Sequence, residues 1–410
     1  MYNWDFYSSL PEYHPIADAN NLYDGFVAAR KGSHWKSEVQ RFRWNYPDEI
    51  RKLQIELVNY RRGLPNSYQL MPYSKFEVHE RAKVRPITAL RMRDRVVKHV
   101  LSDLYLIPYI RPHLIYDNGA SLEGKGVDFT RRRIVAHLQS YYREHGTNEG
   151  YIRLTDFSGY YDNIDHALAM RMIEKYVPDE FAKKLVWQAY ESYRIDVSFM
   201  SDTEYAIAKD TKFNLVQYRA DGHGNEDRGM KYLDKSMSVG DQTSQITAIA
   251  FPTVLDNRMK IVEKQKYYAR YMDDSYLIHS DKAELQRLGR AFDYTARQCK
   301  LFINPKKTQI CKISRTFIFL QYRYLLTDKG HVVVRVGKKT ITRMRRKLKK
   351  LAKGVRSGKT PLAKVEELFR SWIVNYSKVM SKIQAQNMIS LYRELFGGGL
   401  DEWMRIRHLL

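Results

Sequence analysis

The hydrophobic positions of this chain change period several times, and each change marks an element. Leu22, Phe26 and Val27 recur at helical spacing, followed less regularly by Ile50, Leu53, Ile55 and Leu57. Residues 20–65 therefore read as helices, ended by Gly63 and Pro65. Tyr68, Leu70, Tyr73 and Phe76 nearly alternate, which predicts an extended segment over 66–90 closed by Val84-Arg85-Pro86-Ile87. Helical spacing returns over 93–108 and 127–144. Residues 151–155 read as a short strand that delivers Asp156, and Asp165 is placed to cap a helix from His166 to about Tyr176.

Further along, the pattern predicts a helix over 178–194, strand-like pieces over 196–220, a polar loop at 221–227 and a long helix over 243–261. Residues 267–270 and 275–278 then flank Asp273 and Asp274 as strand, turn and strand. A helix follows over 281–299, with strands at 317–320 and 331–336. From Thr340 the chain becomes basic helices separated near Gly354 and Gly358, so a C-terminal subdomain is expected to begin near 337.

Composition narrows the class. A length of 410 residues predicts two or three subdomains, and 44% hydrophobic residues suffice for a proper interior. Lys plus Arg number 70 against 46 Asp plus Glu, a net +24 that calls for a polyanionic partner. An anionic membrane surface is a weaker rival, because the cations do not gather beside an exposed apolar helix. The two cysteines, Cys299 and Cys311, make neither a zinc cluster nor a disulfide scaffold, and a reducing cytoplasm is the expected location. No apolar run of about 20 residues predicts a membrane span, and the N-terminus does not read as a signal peptide.

Against this basic background stand three acids in apolar, aromatic strand sequence: Asp156, and Asp273-Asp274 within Tyr271-Met272-Asp273-Asp274. An Asp-Asp pair alone is ordinarily a polar turn. An apolar hairpin with acid at its tip, plus a carboxylate from a distant strand end, instead suits a divalent-metal centre for phosphoryl or nucleotidyl transfer. Hard Mg²⁺ prefers carboxylate oxygen, and two ions about 3.5–4 Å apart can hold the attacking and leaving oxygens. Asp273 is assigned the stronger role than Asp274, since adjacent strand residues face opposite sides.

Tyr271-Met272-Asp273-Asp274 resembles the YxDD box of reverse transcriptases, and Thr155-Asp156-Phe157-Ser158-Gly159-Tyr160-Tyr161-Asp162-Asn163-Ile164-Asp165-His166 resembles the first catalytic motif of that family. The resemblance spans roughly residues 20–380. It implies an α+β right-hand polymerase, with fingers, palm and thumb and an antiparallel palm sheet backed by helices. The expected division is 1–65 as an N-terminal helical extension and start of the fingers, 66–150 as fingers, 151–336 as palm with intervening segments, and 337–410 as a basic helical thumb. Ser238-Val239-Gly240-Asp241-Gln242-Thr243-Ser244-Gln245 carries an aliphatic residue where many members have Gln, and a Ser-Gln ending where many have Ser-Pro. This is similar to prokaryotic enzymes of diversity-generating retroelements and of antiphage defence.

By the same resemblance, Lys83 and Arg85 meet the incoming triphosphate, Tyr161 is the steric gate under the sugar, and Gly240 and Gln245 form the nucleotide-binding wall. Lys307 serves the triphosphate from a later motif, and Phe319-Leu320-Gln321-Tyr322 resembles the primer-grip hairpin, with Gln321 where the family often has Gly. Arg343, Arg346, Lys347 and Lys350 share one helix with Met344 and Leu348, so one face can pack while others meet duplex phosphates. The expectation is an RNA-directed DNA polymerase using two Mg²⁺ ions, with Mn²⁺ able to substitute. Its expected partners are an RNA template, a DNA or RNA primer, deoxynucleoside triphosphates, and a structured noncoding RNA or small basic accessory protein. Two rivals remain open: an RNA-dependent RNA polymerase, and a non-catalytic RNA-binding protein with a relic palm.

Overall fold

The computed structural model describes residues 14–80, 83–223 and 226–406. Helices α1 (Ala19–Ala29), α2 (Ser37–Trp44) and α3 (Tyr46–Arg62) come first. The Asp18 carboxylate caps α1 by accepting from the Asn21 amide at 2.8 Å, and Gly63, at φ 72, ends α3. The antiparallel hairpin β1 (Ser74–Glu80) and β2 (Lys83–Ala89) leads into α4 (Met92–Leu101). Gly25 of α1 lies so close to α4 that a Cβ there would stand 2.6 Å from Val100. After α5 (Val127–His145), β3 (Tyr151–Asp156) carries Asp156 as its last residue. The Asp165 side chain then caps α6 (His166–Tyr176) through the Leu168 amide at 3.0 Å, and α7 (Glu180–Ser192) follows.

The segment beyond α7 departs from its predicted strand-like character. Apart from the two-residue pairing of β4 (Ile195–Asp196) with β5 (Tyr232–Leu233), it forms α8 (Asp202–Asp210) and α9 (Leu215–Ala220). A capping box starts α8, with Ser201 and Glu204 satisfying each other's backbone N–H groups. Val197, Met200, Ala208, Phe213 and Leu233 close a small core of their own, which local alternation along the sequence does not reveal. The long helix predicted over 243–261 is also divided. It becomes α10 (Gln242–Ala250) and α11 (Thr253–Asn257), followed by a π-helical turn at Arg258–Val262. Pro252 stands at the break, where its missing N–H cannot join a helical ladder.

The remaining elements are β6 (Tyr268–Tyr271), β7 (Asp274–His279), α12 (Lys282–Gln298), β8 (Gln309–Lys312), β9 (Phe317–Phe319), β10 (Tyr322–Leu326), β11 (Val332–Val336), α13 (Lys338–Arg356), α14 (Leu362–Ser377), α15 (Lys382–Phe396) and α16 (Asp401–Ile406). Helix α13 runs without interruption through Gly354. Four strands form one sheet in the order β6–β7–β3–β8, and β11–β10–β9 form another. Burial is nearly continuous along β3, as for a strand covered on both faces. The fold is α+β with antiparallel strand pairs, in agreement with the expected class.

The chain divides into two compact units. One falls within Met1–Thr130, Thr155–Leu277 and Gln286–Gln309, the other within Arg131–Leu154, Ile278–Leu285 and Ile310–Leu410. The second has its own helical core, in which Met344 and Leu348 of α13 meet Val365, Phe369 and Ile373 of α14 and Met388, Ile389 and Tyr392 of α15.

Candidate active site

Strand β3 ends in a buried carboxylate, and the β6–β7 hairpin turns beside it. Tyr271 pairs with Asp274, leaving Met272 and Asp273 as a two-residue loop. The Phe157 amide donates to the Asp273 carbonyl at 3.2 Å, which fixes the loop to the end of β3. Asp156 is 6% exposed. Its carboxylate accepts from Lys307 Nζ at 2.5 Å and from Asn304 Nδ2 at 3.1 Å, while its carbonyl accepts from the Asn304 amide at 2.8 Å.

The electrostatics record crowding of like charge. The Asp274 carboxyl is pushed up to about 7, first by burial, then by Asp273 and Asp156, with Lys307 acting in the opposite direction. Among the described residues, no group of three or more His, Cys, Asp or Glu side chains stands placed to hold a metal ion. Carboxylate oxygen is the hard donor that Mg²⁺ prefers, and Asp273 and Asp156 both lie near enough to Asp274 to raise its carboxyl.

Met272 holds the tip in a left-handed conformation, φ 53, which is uncommon for a residue with a side chain. A buried cation supports it. Arg270, fully enclosed in β6, donates from Nη1 to the Met272 carbonyl at 3.1 Å and from Nη2 to the Ile249 carbonyl at 2.7 Å. The same guanidinium grips Asp256 of α11 through Nε at 2.9 Å and Nη2 at 2.6 Å, and the Tyr268 hydroxyl also donates to Asp256, at 2.7 Å. Burial opposes the charge on Arg270, but Asp256 more than offsets it. Sequence reading passed over this pair. Its signal is an arginine inside an otherwise apolar strand, Tyr267-Tyr268-Ala269-Arg270.

A second buried network holds the loop before α10. Gly240 takes φ 98, and a Cβ there would meet nothing within 4 Å. Asp241 caps α10 through the Ser244 amide at 3.1 Å, and it also accepts from the Tyr193 hydroxyl at 2.8 Å and Lys98 Nζ at 3.3 Å. Lys98, on amphipathic α4, has no local sequence signal for this role. Gln245 is half-buried one turn into α10. The half-buried Tyr161 has its hydroxyl 4.0 Å from Met272 Sδ, and its carbonyl accepts from the Met237 amide at 2.9 Å. Burial first, then Asp273 and Asp241, raise the Tyr161 hydroxyl above its ordinary value, so it stays neutral. Lys83 and Arg85 lie on β2, but their side chains fall outside the described residues.

The other expected residues belong to the second unit. Leu320 and Gln321 form the two-residue β9–β10 turn with φ 46 and 73, both left-handed, as a type I′ hairpin requires. Gln321 thus adopts the conformation that glycine adopts most readily. Its carbonyl accepts from the Gly337 amide at 2.9 Å, and a Cβ at Gly337 would stand 2.7 Å from that oxygen. Phe319 is buried, whereas Arg343, Arg346, Lys347 and Lys350 are exposed on α13.

Two consequences are measurable. Asp256→Ala leaves the Arg270 charge buried and unpaired, and should cost about 3–5 kcal/mol in urea unfolding; a loss below about 1 kcal/mol would contradict the described pairing. Asp274 supplies a pH test. Its folded value lies above its unfolded one, so between about pH 4 and 7 the folded protein keeps a proton that the unfolded chain has lost. Stability in chelated buffer therefore falls as pH rises through that window. Asp274→Asn removes the effect and should be more stable than the parent at pH 8, by up to roughly 4 kcal/mol, with the gap closing toward pH 4. Equal gaps at both ends of the range would refute it.

A family model described as reverse transcriptase (RNA-dependent DNA polymerase) matches residues 74–324. No curated protein matches the chain. The match covers more than half of the sequence and includes both strand ends that bear the crowded carboxylates. The chain belongs to the reverse transcriptase family and is an RNA-directed DNA polymerase, a nucleotidyltransferase.

Proposed function

We propose that the polymerase makes cDNA from an RNA template with Asp156, Asp273 and Asp274 as its catalytic carboxylates. The observation that carries this reading is the backbone bond from Phe157 to Asp273, which sets the end of β3 beside the hairpin tip, with Lys307 against Asp156. Reverse transcriptases use divalent metal ions, and here Asp156 and Asp273, assisted by Asp274, would hold two Mg²⁺, with Mn²⁺ able to substitute. When bound, such ions neutralise charge on the reacting phosphate and lower the pKa of the attacking hydroxyl.

The primer 3′-hydroxyl attacks the α-phosphorus of a deoxynucleoside triphosphate in line; one P–O bond forms and the bond to pyrophosphate breaks. Lys307, with its side chain 49% exposed, can turn from Asp156 to the triphosphate as counter-charge. Lys83 and Arg85 are assigned to the same triphosphate from β2. Gly240 leaves open space for the nucleotide beside Gln245, and the neutral Tyr161 ring excludes a 2′-hydroxyl. In the right-hand description, residues 66–150 are fingers, 151–336 palm and 337–410 thumb, preceded by the extension 1–65. Phe319 and Leu320 mark the primer grip, with Leu320 at the turn, and Arg343, Arg346, Lys347 and Lys350 track the template–primer backbone.

The aliphatic Val239 and the Ser244-Gln245 ending support a prokaryotic setting, either a diversity-generating retroelement or antiphage defence. A structured noncoding RNA or small basic protein is the proposed accessory partner. A template repeat beside a variable-protein gene would select the first setting, and a noncoding RNA within a defence locus the second. Among the described residues no helix is long and apolar enough to cross a membrane; we assign the enzyme to the cytoplasm.

Extension of a primed RNA template should give Mg²⁺-dependent cDNA with the parent and none with Asp273→Asn/Asp274→Asn, while RNA binding is kept. Mg²⁺ should also raise the melting temperature of the parent at pH 8 but not of that variant, a readout independent of activity. RNA binding without any product from the parent would favour a relic palm. Separately, Tyr161→Ala should admit ribonucleotides about tenfold or more better relative to deoxynucleotides. A parent that already prefers ribonucleotides would overturn the gate and favour an RNA polymerase.

A further inference from the structure

Tryptophan is usually well buried, yet Trp35 is 73% and Trp44 82% exposed. They bracket α2, Trp35 just before its first turn and Trp44 at its last residue. The helix is anchored from its other side, where Val39 and Phe42 are buried and the Phe42 ring lies 4.9 Å from that of Phe26. On the outer side Ser37, Arg41 and Trp44 recur at i, i+4 and i+7, which places Arg41 and Trp44 together. The segment leading in is held by turns, with the Ser33 amide donating to the Arg30 carbonyl and the Lys36 amide to that of Ser33, both at 3.0 Å. The two exposed rings thus project from a backbone that is itself held in place.

Charge identifies the partner. Lys31, Lys36, Arg41 and Arg43 are exposed over the same stretch, and Lys36 Nζ lies 5.9 Å from the centre of the Trp35 ring. Glu38 is the sole acid over the same stretch, and its carboxylate is engaged by the Met92 amide at 3.0 Å. Protein interfaces also enrich tryptophan and arginine, but they disfavour lysine and deplete charge at their core. Isolated aromatic planes interspersed with cations instead match the way unpaired bases are stacked while their phosphates are neutralised. An eight-residue helix spans about 12 Å, about three or four nucleotides at the 3.4 Å spacing of a stacked strand.

We propose that α2 and its flanks form a binding surface for single-stranded RNA, with Trp35 and Trp44 stacking on bases and Lys31, Lys36, Arg41 and Arg43 contacting phosphates. This extends the reading of the chain as an RNA-copying enzyme to a surface with no part in the chemical step. The natural occupant is unpaired template or the unpaired part of a structured RNA.

The test uses the full chain and fluorescence anisotropy with a short unstructured RNA, the same sequence as DNA, and a blunt RNA duplex. Trp35→Ala/Trp44→Ala should lose at least about tenfold in affinity for the single-stranded RNA, while the duplex is affected little. Trp35→Phe/Trp44→Phe should keep most of the affinity, because a planar ring remains. Arg41→Ala/Arg43→Ala should weaken binding and lower its salt dependence. Extension of a short pre-annealed primer–template at saturating RNA should be unchanged in the tryptophan variants, and their melting temperatures should match the parent.

Unchanged RNA affinity in the double alanine variant overturns the proposal. So does an equal loss for the duplex, whose bases are already paired and unavailable for stacking on the rings. A self-association in the parent that the double variant abolishes, with RNA binding intact, would identify a protein contact instead. The outcomes are separable from those of catalysis: a parent that makes no cDNA but shows the tryptophan-dependent RNA affinity refutes the catalytic reading and leaves this surface standing.

Discussion

Like charge held at close quarters is the constraint around which the first unit is organised. Burial and the charges of Asp273 and Asp156 disfavour an ionised Asp274, and folding must oppose that cost before any substrate arrives. Three devices do so. Lys307 and Asn304 bind Asp156 directly. Below about pH 7 a proton on Asp274 removes one charge. The backbone link from Phe157 to Asp273 and the Arg270 grip on Met272 prevent the hairpin from relaxing away. Each supports the next, since a hairpin free to move would let the carboxylates separate.

The Arg270–Asp256 pair shows how such a constraint is met in an apolar interior. Buried ion pairs contribute little net stability compared with a well-packed apolar alternative, but they are exacting about geometry. Here the guanidinium reaches backbone carbonyls at Ile249 and Met272 as well as its carboxylate partner. One side chain therefore sets the positions of α10, α11 and the hairpin tip together. The Lys98–Asp241–Tyr193 cluster does the equivalent work for the loop carrying Gly240.

Much of this was legible in the sequence because it is local. Asp165 as a cap, Gly63 as a helix end, and the strand-turn-strand pattern around Asp273 each depend on a few neighbouring residues. What escaped reading depends on distance. Helices α8 and α9 pack against a core completed by Leu233, well beyond the segment itself. The break at Pro252 was legible in principle, but apolar periodicity on both sides concealed it. Asp256 and Arg270 lie 14 residues apart, and nothing in either neighbourhood announces the partner.

Gly337 carries a consequence for how this molecule can change. Its amide is bonded to the Gln321 carbonyl, and any side chain there would collide with that oxygen. The first turn of α13 is thereby riveted to the tip of the β9–β10 hairpin, and the two can only be displaced as a body. The cations farther along the helix are under no such restriction. Substitution among those exposed cations can therefore change the charge of α13 freely, so long as the rivet at its root is left untouched.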